Sequence, residues 1–299
     1  MRLFSKSYYI SFFRSFFGVF ASTRGYTILV LAAAQYLSAR YILAPQKTWM
    51  THLTDHRLFF LVLASSFAIA GGYIINNFYD AEKDRINRPQ QYLLHHLIPP
   101  NLQIFIYTFF NLIGLGLAFL VSFKAVLFFL FYMIAIWFYS HLLKKMFWAS
   151  NLFAAVLAIT PFFAISLYFN NFSTWVLYHA NFLFLIMLIR DLVKDLQNFK
   201  GDWVRNYNTV AVVFGVKTTK YILTVLIFLA TGPVFLLLSE KEQLGKMFYY
   251  FTGTLPFLMG LMILLWRAEE QKAYLWLHNL LKFLILAGVG SIILVRYPI

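Results

Sequence analysis

The chain has 299 residues, of which 61% are hydrophobic, 20% aromatic and only 12% charged, against about a quarter charged in a soluble domain. This composition excludes an ordinary soluble globular protein, because many runs approach the roughly 20 apolar residues that cross a bilayer. The absence of cysteine excludes disulfides and thiolate metal sites. A net charge of +14 in such a chain reports membrane topology and contact with anionic headgroups, not nucleic acid.

Residues 1–24 are basic and aromatic, with Arg2, Lys6, Arg14 and Arg24 among Phe and Tyr. They read as an interfacial lead-in. No short apolar core followed by a small-residue cleavage site is present there, so no removable signal peptide is expected. Nine membrane spans follow, at about 26–43, 58–76, 102–122, 125–141, 148–169, 175–190, 219–238, 247–266 and 276–295. The fold class expected is therefore all-α, a polytopic membrane bundle of nine helices, with 25–299 as a single domain. No internal repeat and no low-complexity linker divides it.

Several residues along the way have structural readings. Gly71 and Gly72 are expected to let helices approach closely. Ser122–Lys124 makes a tight hairpin, and Pro161 and Pro256 are expected to kink their spans. His95 and His96 read as part of a loop. His179 and His278, inside spans, are expected to hydrogen-bond to a neighbouring helix, and Lys282 to snorkel toward the interface.

With the N-terminus cytoplasmic, seventeen Lys and Arg fall on that side and seven opposite, with Lys282 inside a span. This is the positive-inside asymmetry. The larger set includes Arg190, Lys194, Lys200, Arg205, Lys217 and Lys220 in one connection. Nine spans then place the C-terminus outside, as in a multi-pass protein of a prokaryotic inner membrane.

The acids are distributed unevenly. Of eleven Asp and Glu, three lie in one stretch (Asp80, Glu82, Asp84) and three in another (Asp191, Asp195, Asp202). Each stretch follows an even-numbered span, so both fall on the cytoplasmic side. Helical residues four apart share a face. Asn76, Asp80 and Asp84 form one such row, continued by Arg88, and Pro89 ends the helix at or before Arg88. Asp191 and Asp195 form a second row, with Asn198 and Asp202 following. Two carboxylate pairs are hard oxygen ligands suited to Mg²⁺, which binds through one or two carboxylates plus phosphate oxygens. Lys83, Arg85, Arg88, Arg190, Lys194, Lys200 and Arg205 supply the cations that a diphosphate requires. The alternative is a pair of solvated helix ends with local ion pairs such as Asp80 with Lys83.

Asn76-x-x-x-Asp80-x-x-x-Asp84-x-Ile86-Asn87-x-Pro89 resembles the first signature of the UbiA superfamily of intramembrane prenyltransferases. Arg190-Asp191-x-x-Lys194-Asp195-x-x-Asn198-x-x-Gly201-Asp202, followed by Thr209 and Gly215, resembles its second. Tyr139 to Lys145, with Asn151, is similar to the family's Tyr/Lys motif after the fourth helix, and Arg24 stands where the family has an arginine before its first helix. The resemblance covers about residues 20–295. It implies nine helices around a central cavity and Mg²⁺-dependent transfer of an isoprenoid chain from a prenyl diphosphate to a lipophilic acceptor. It also implies a site. Asp80, Asp84, Asp191 and Asp195 would hold the metal, with Asn198 and Asp202 as further candidates. Asn76, Arg88, Lys144, Arg190 and Lys194 would bind diphosphate, and Tyr139 would lie near the reacting carbon. Phe78, Tyr79 and Phe138 are further candidates to shield the allylic cation. The expected partners are an isoprenyl diphosphate, the acceptor and membrane lipids, with no nucleic acid and no protein.

The sequence departs from the family at Asn77, where the usual residue is Asp, and over Gln90–His96. The second signature has Asn198 where many members carry Asp, and Asp191 where the glycerol-phosphate branch often has Glu. The acceptor is either aromatic or a glycerol phosphate. Arg190-x-x-x-Lys194-Asp195 and the five-residue step from Tyr139 to Lys144 look closest to the glycerol-phosphate branch. A cation-coupled transporter is the rival class, but it would carry acids near the bilayer midplane and an internal repeat. A scaffold would not need two carboxylate pairs.

Overall fold

The structure is a computed structural model that describes residues 18–20, 22–87, 89–95, 97–147, 149–204 and 207–295. Among the described residues it is all-helical without strands, and nine helices are long and apolar enough to cross a membrane. Their α-helical parts are α1 (Gly25–Ser38, carried on by a π-helical turn to Leu43), α2 (His56–Asn87), α3 (Pro100–Val121), α4 (Phe123–His141), α5 (Ala149–Phe169), α6 (Thr174–Val204), α7 (Val210–Ser239), α8 (Phe248–Arg267) and α9 (Gln271–Ser291). Each expected span overlaps one of them.

The helices exceed the apolar runs where chemistry is expected. α2 has 32 residues and α6 has 31. At 1.5 Å per residue either is well over 40 Å long, against a hydrocarbon core of about 30 Å. The acidic stretches are therefore the C-terminal ends of continuous helices. Asp55 starts α2, its Oδ1 accepting the N–H groups of Arg57 and Leu58 at 3.1 Å each, which satisfies two donors left open by helix geometry. Beyond α2, where His95 and His96 are expected in a loop, the backbone forms another short helix, Pro89–His95, and His96 lies outside the described residues. Its proline occupies the first helical position, where a missing N–H costs nothing.

The chain divides into two compact units. The first holds the described residues up to Ala32 together with Phe60–His141. Small residues bring its helices together: a Cβ on Gly72 would lie 3.0 Å from Ile136 of α4, and one on Gly114 would lie 2.7 Å from Met133. Both glycines are packing positions, as expected for Gly72. The end of the lead-in is built into this unit, with Ser22 and Thr23 buried. Arg24 adopts a left-handed backbone (φ 51°) and sets its guanidinium 4.9 Å from the Tyr73 ring. Residues 1–17, the bulk of the expected lead-in, lie outside the described residues.

The second unit holds Ala33–Phe59 and Leu142–Ile299. α6 runs through its middle against α5, α7 and α9, while α8 packs on α7 and α9. α5 passes through Pro161 as one helix, and the Pro161 carbonyl accepts the Gln35 side-chain amide at 2.9 Å. α7 is interrupted at Gly215 (φ 80°, ψ 166°), a conformation open to glycine and strained for any other residue. Thr209 caps the first turn, and the Thr219 hydroxyl donates to the Gly215 carbonyl at 2.8 Å, just past the break. His179 Nδ1 donates within its own helix, to the Trp175 carbonyl (2.9 Å), and not to a neighbouring helix as expected.

Candidate active site

In the first unit, α2 carries the first acidic row. Asn76 is half-buried, Asp80 is 7% exposed and Asp84 is half-buried, so one face descends from the buried side toward the helix end. Glu82 and Arg85 face outward. Asn77 is turned away from this row. It is 6% exposed, and its Nδ2 donates to the Ser22 carbonyl at 2.9 Å. The departure from the family's Asp at this position thus has a physical reason: a carbonyl needs a donor, and a carboxylate has none. Arg88 and the side chain of Lys83 lie outside the described part of the structure.

Rings accompany this face. His141, at the end of α4, stacks on Trp137 (centroids 5.3 Å, 16° between planes) and lies 5.0 Å from Tyr79, which meets Phe78 edge-on at 5.4 Å. Tyr79 immediately precedes Asp80. Tyr139 is half-exposed, and Phe138 is 42% exposed. Nothing in the sequence gives His141 a role of its own. The signal available was its four-residue spacing from Trp137, which puts both on one helix face.

In the second unit, the second row lies on α6 and is more deeply buried. Asp191 is half-buried, Asp195 is 8% exposed, Asn198 is 3% and Asp202 is fully covered. Asn151 of α5 joins the two carboxylates: its Nδ2 donates to Asp191 Oδ2 at 3.0 Å and to Asp195 Oδ2 at 2.8 Å. The two oxygens are therefore no further apart than these two bonds laid end to end. At such a separation two unit charges in an effective dielectric of about 20 repel by about 3 kcal/mol. Hydrogen bonds to charged groups contribute about 1.5–3 kcal/mol each, enough to offset that repulsion. The side-chain oxygens of Asn151 and Asn198 are buried and accept no hydrogen bond. Carboxylates held together beside unsatisfied amide oxygens are a hard-donor set that fits a divalent cation such as Mg²⁺.

The cations of the second unit are placed differently from one another. Lys144 is 8% exposed in a single 3₁₀ turn, Leu143–Lys145, that packs against the start of α5. Arg190 and Lys194 are half-buried on α6, and Arg190 Nε is buried without a hydrogen bond. Lys200 is exposed. Lys220, counted from the sequence as one of the connection's cations, is instead 8% exposed within α7. Its Nζ donates to the Ala268 carbonyl at 2.6 Å, the carbonyl that also accepts the Tyr274 hydroxyl at 3.0 Å. No sequence signal separated it from its exposed neighbour Lys217. Among the described residues no three His, Asp or Glu side chains form a ready-made cation cluster.

The sequence profile of the UbiA prenyltransferase family matches residues 32–286. The chain belongs to this family. It is a prenyltransferase and an integral multi-pass membrane protein. A digeranylgeranylglyceryl phosphate synthase from Sulfurisphaera tokodaii is 29% identical over 247 residues, which is 79% of this chain and 86% of that protein. Solved structures share the fold. One of a digeranylgeranylglyceryl phosphate synthase superposes with a TM-score of 0.69 at 18% identity, covering 92% of this chain and 96% of that one. A UbiA homologue from Archaeoglobus fulgidus bound to GPP and Mg²⁺ gives 0.67 at 14% identity, covering 92% and 99%. The UbiA family membership covers both acidic rows, Tyr139, Lys144 and Asn151, and excludes the transporter reading.

Proposed function

We propose that this UbiA-family chain transfers an isoprenoid group from a prenyl diphosphate to the hydroxyl of a prenylated glycerol phosphate, with Mg²⁺ as cofactor. The observation that carries the reading is the pair Asp191 and Asp195, drawn together on Asn151 within the second family signature. The relatives support the acceptor class, since the matching curated proteins carry the name of a digeranylgeranylglyceryl phosphate synthase. The spacing from Tyr139 to Lys144 and the Arg190-x-x-x-Lys194-Asp195 pattern lean the same way.

In this proposal Asp80 and Asp84 on α2, and Asp191 and Asp195 on α6, are the cation ligands, with Asn198 and Asp202 supporting the second pair. Asn76, Arg88, Lys144, Arg190 and Lys194 bind the diphosphate. When bound, Mg²⁺ supplies positive charge opposite the diphosphate oxygens. The guanidinium and ammonium groups oppose the negative charge that grows as the prenyl C1–O bond breaks and its electron pair leaves with diphosphate, the electrostatic stabilisation that usually dominates such steps. Tyr139, with Tyr79 and Phe78 beside Asp80, offers π faces to the allylic cation. The acceptor oxygen forms the new bond to C1, and its proton passes to solvent or to the departing diphosphate. Residues 25–299 act as one domain, with the N-terminus and both acidic rows cytoplasmic and the C-terminus opposite, in accord with the seventeen-to-seven division of cations.

The test is product formation by membranes containing the chain, given geranylgeranyl diphosphate and either geranylgeranylglyceryl phosphate or an aromatic quinone precursor, with and without Mg²⁺. The expected result is a doubly prenylated glycerol phosphate, detected by mass spectrometry and dependent on Mg²⁺. A prenylated aromatic alone would overturn the acceptor assignment. No diphosphate release with either acceptor would overturn the reading as a whole.

A further inference from the structure

We infer that Asn151 is the positioning residue of the second acidic row, fixing the spacing of the Asp191 and Asp195 carboxylates on which the bound cation depends. The inference rests on the proposed reading that these two acids are cation ligands.

Four observations lead to it. One amide nitrogen donates to both carboxylates, at 3.0 and 2.8 Å. The orientation of that amide is dictated by chemistry, because only its NH₂ end can face two carboxylate oxygens. Asn151 is 2% exposed, so water competes little for these bonds. Its Oδ1 is buried and makes no hydrogen bond among the described residues, so the two carboxylates fix the orientation of the amide. A tie meant only to hold α5 to α6 would need one bond. The division of both N–H groups between two acids one helical turn apart instead sets the distance between the acids. Without it, like charges on one helix face favour rotamers that separate them. Each carboxylate presents Oδ2 to Asn151, which orients the whole group. Asn151 need not touch the cation to act in this way.

The test uses the purified full-length chain in detergent, as wild type, Asn151→Leu and Asn151→Thr. Leucine matches the size without a donor. Threonine is the milder change, and its single hydroxyl hydrogen serves only one carboxylate. Mn²⁺ binding in the presence of inorganic pyrophosphate is followed by electron paramagnetic resonance, and thermal melting is recorded without divalent cations. Loss of an outer-shell partner typically weakens metal affinity about 10–100-fold. That loss is expected for Asn151→Leu, with a smaller one for Asn151→Thr and cation-free melting close to wild type. Wild-type Mn²⁺ affinity in the variants overturns the inference, as does a fall in melting temperature with affinity retained, which would make Asn151 a packing residue. Should Asn151→Leu not fold, the threonine variant decides by the same criterion. If the wild type itself binds no Mn²⁺ with pyrophosphate, the cation reading of the site falls and this inference with it. If the wild type binds and the variants bind equally, only the inference falls.

Discussion

The side chain of Asn77 donates to the backbone carbonyl of Ser22 at 2.9 Å, linking the turn before α1 to the helix that carries the first acidic row. Both residues are buried, at 6% and 3% exposure. One helical turn earlier on α2, Tyr73 receives the Arg24 guanidinium on its ring. The residue that breaks the family's Asn-Asp pattern thus acts as a structural tie. Restoring the family residue, Asn77→Asp, should replace a donor with a buried carboxylate facing a carbonyl. A loss of about 1–3 kcal/mol is expected, the usual cost of stranding a buried polar group. The melting temperature of the detergent-solubilised protein should fall by several degrees, and an unchanged value would show that the tie contributes nothing.

Asp80→Asn and Asp195→Asn each remove a proposed cation ligand while preserving shape. Turnover of geranylgeranyl diphosphate should fall at least about 100-fold in either variant, comparable to losing one strong electrostatic contact to the transition state. Helical circular dichroism and elution volume should match the wild type. Full activity in both variants would sink the assignment of these acids.

Gly215 interrupts α7 with φ 80°. Gly215→Ala should therefore cost about 1–3 kcal/mol, the range for a residue forced into a sparsely populated backbone region. Gly260, inside α8 with open space around its Cα, is the control. Gly260→Ala should be neutral or slightly stabilising, because alanine loses less backbone freedom in a helix. Equal effects at the two positions would remove the argument from backbone strain.

His52 lies outside the spans, in the short helix Trp49–Leu53, 1% exposed and edge-on to Phe169 at 5.7 Å. Burial pushes its pKa below the usual 6.5, and Lys47 and Arg40 act in the same direction, opposed by the Ala44 carbonyl and Asp55. The unfolded chain consequently binds this proton more readily than the folded one, so stability rises with pH across the window. The contribution is present above about pH 6.5, the unfolded value, and is lost as pH falls below it. Melting temperatures recorded from pH 7.5 to 5 should decline more steeply for the wild type than for His52→Gln. Parallel curves would show that His52 does not report on folding.

The nine spans were legible because a bilayer demands about 20 apolar residues per crossing and the chain supplies them in order. The acidic rows were legible too, as spacing of four on a helix and as charge in an acid-poor chain. Less visible was how individual polar side chains divide their work. Asn76 and Asn77 are adjacent and chemically identical, yet one shares the acidic row and the other bonds to Ser22. Lys217 and Lys220 read alike, but one is exposed and the other is buried against Ala268 and Tyr274. His179, expected to reach a neighbouring helix, satisfies its Nδ1 on its own preceding turn.

What the sequence determined by itself was the membrane fold, the two carboxylate rows and the family they signal, since hydropathy and helical periodicity are local properties. The tertiary structure decided that Asn77 ties to the Ser22 carbonyl, that Gly215 must break α7, and that Asn151 on one helix gathers Asp191 and Asp195 on the next. These are contacts between residues up to 55 positions apart. A hydrogen bond exists only where packing brings donor and acceptor to about 3 Å, and no spacing rule along one helix reports that distance.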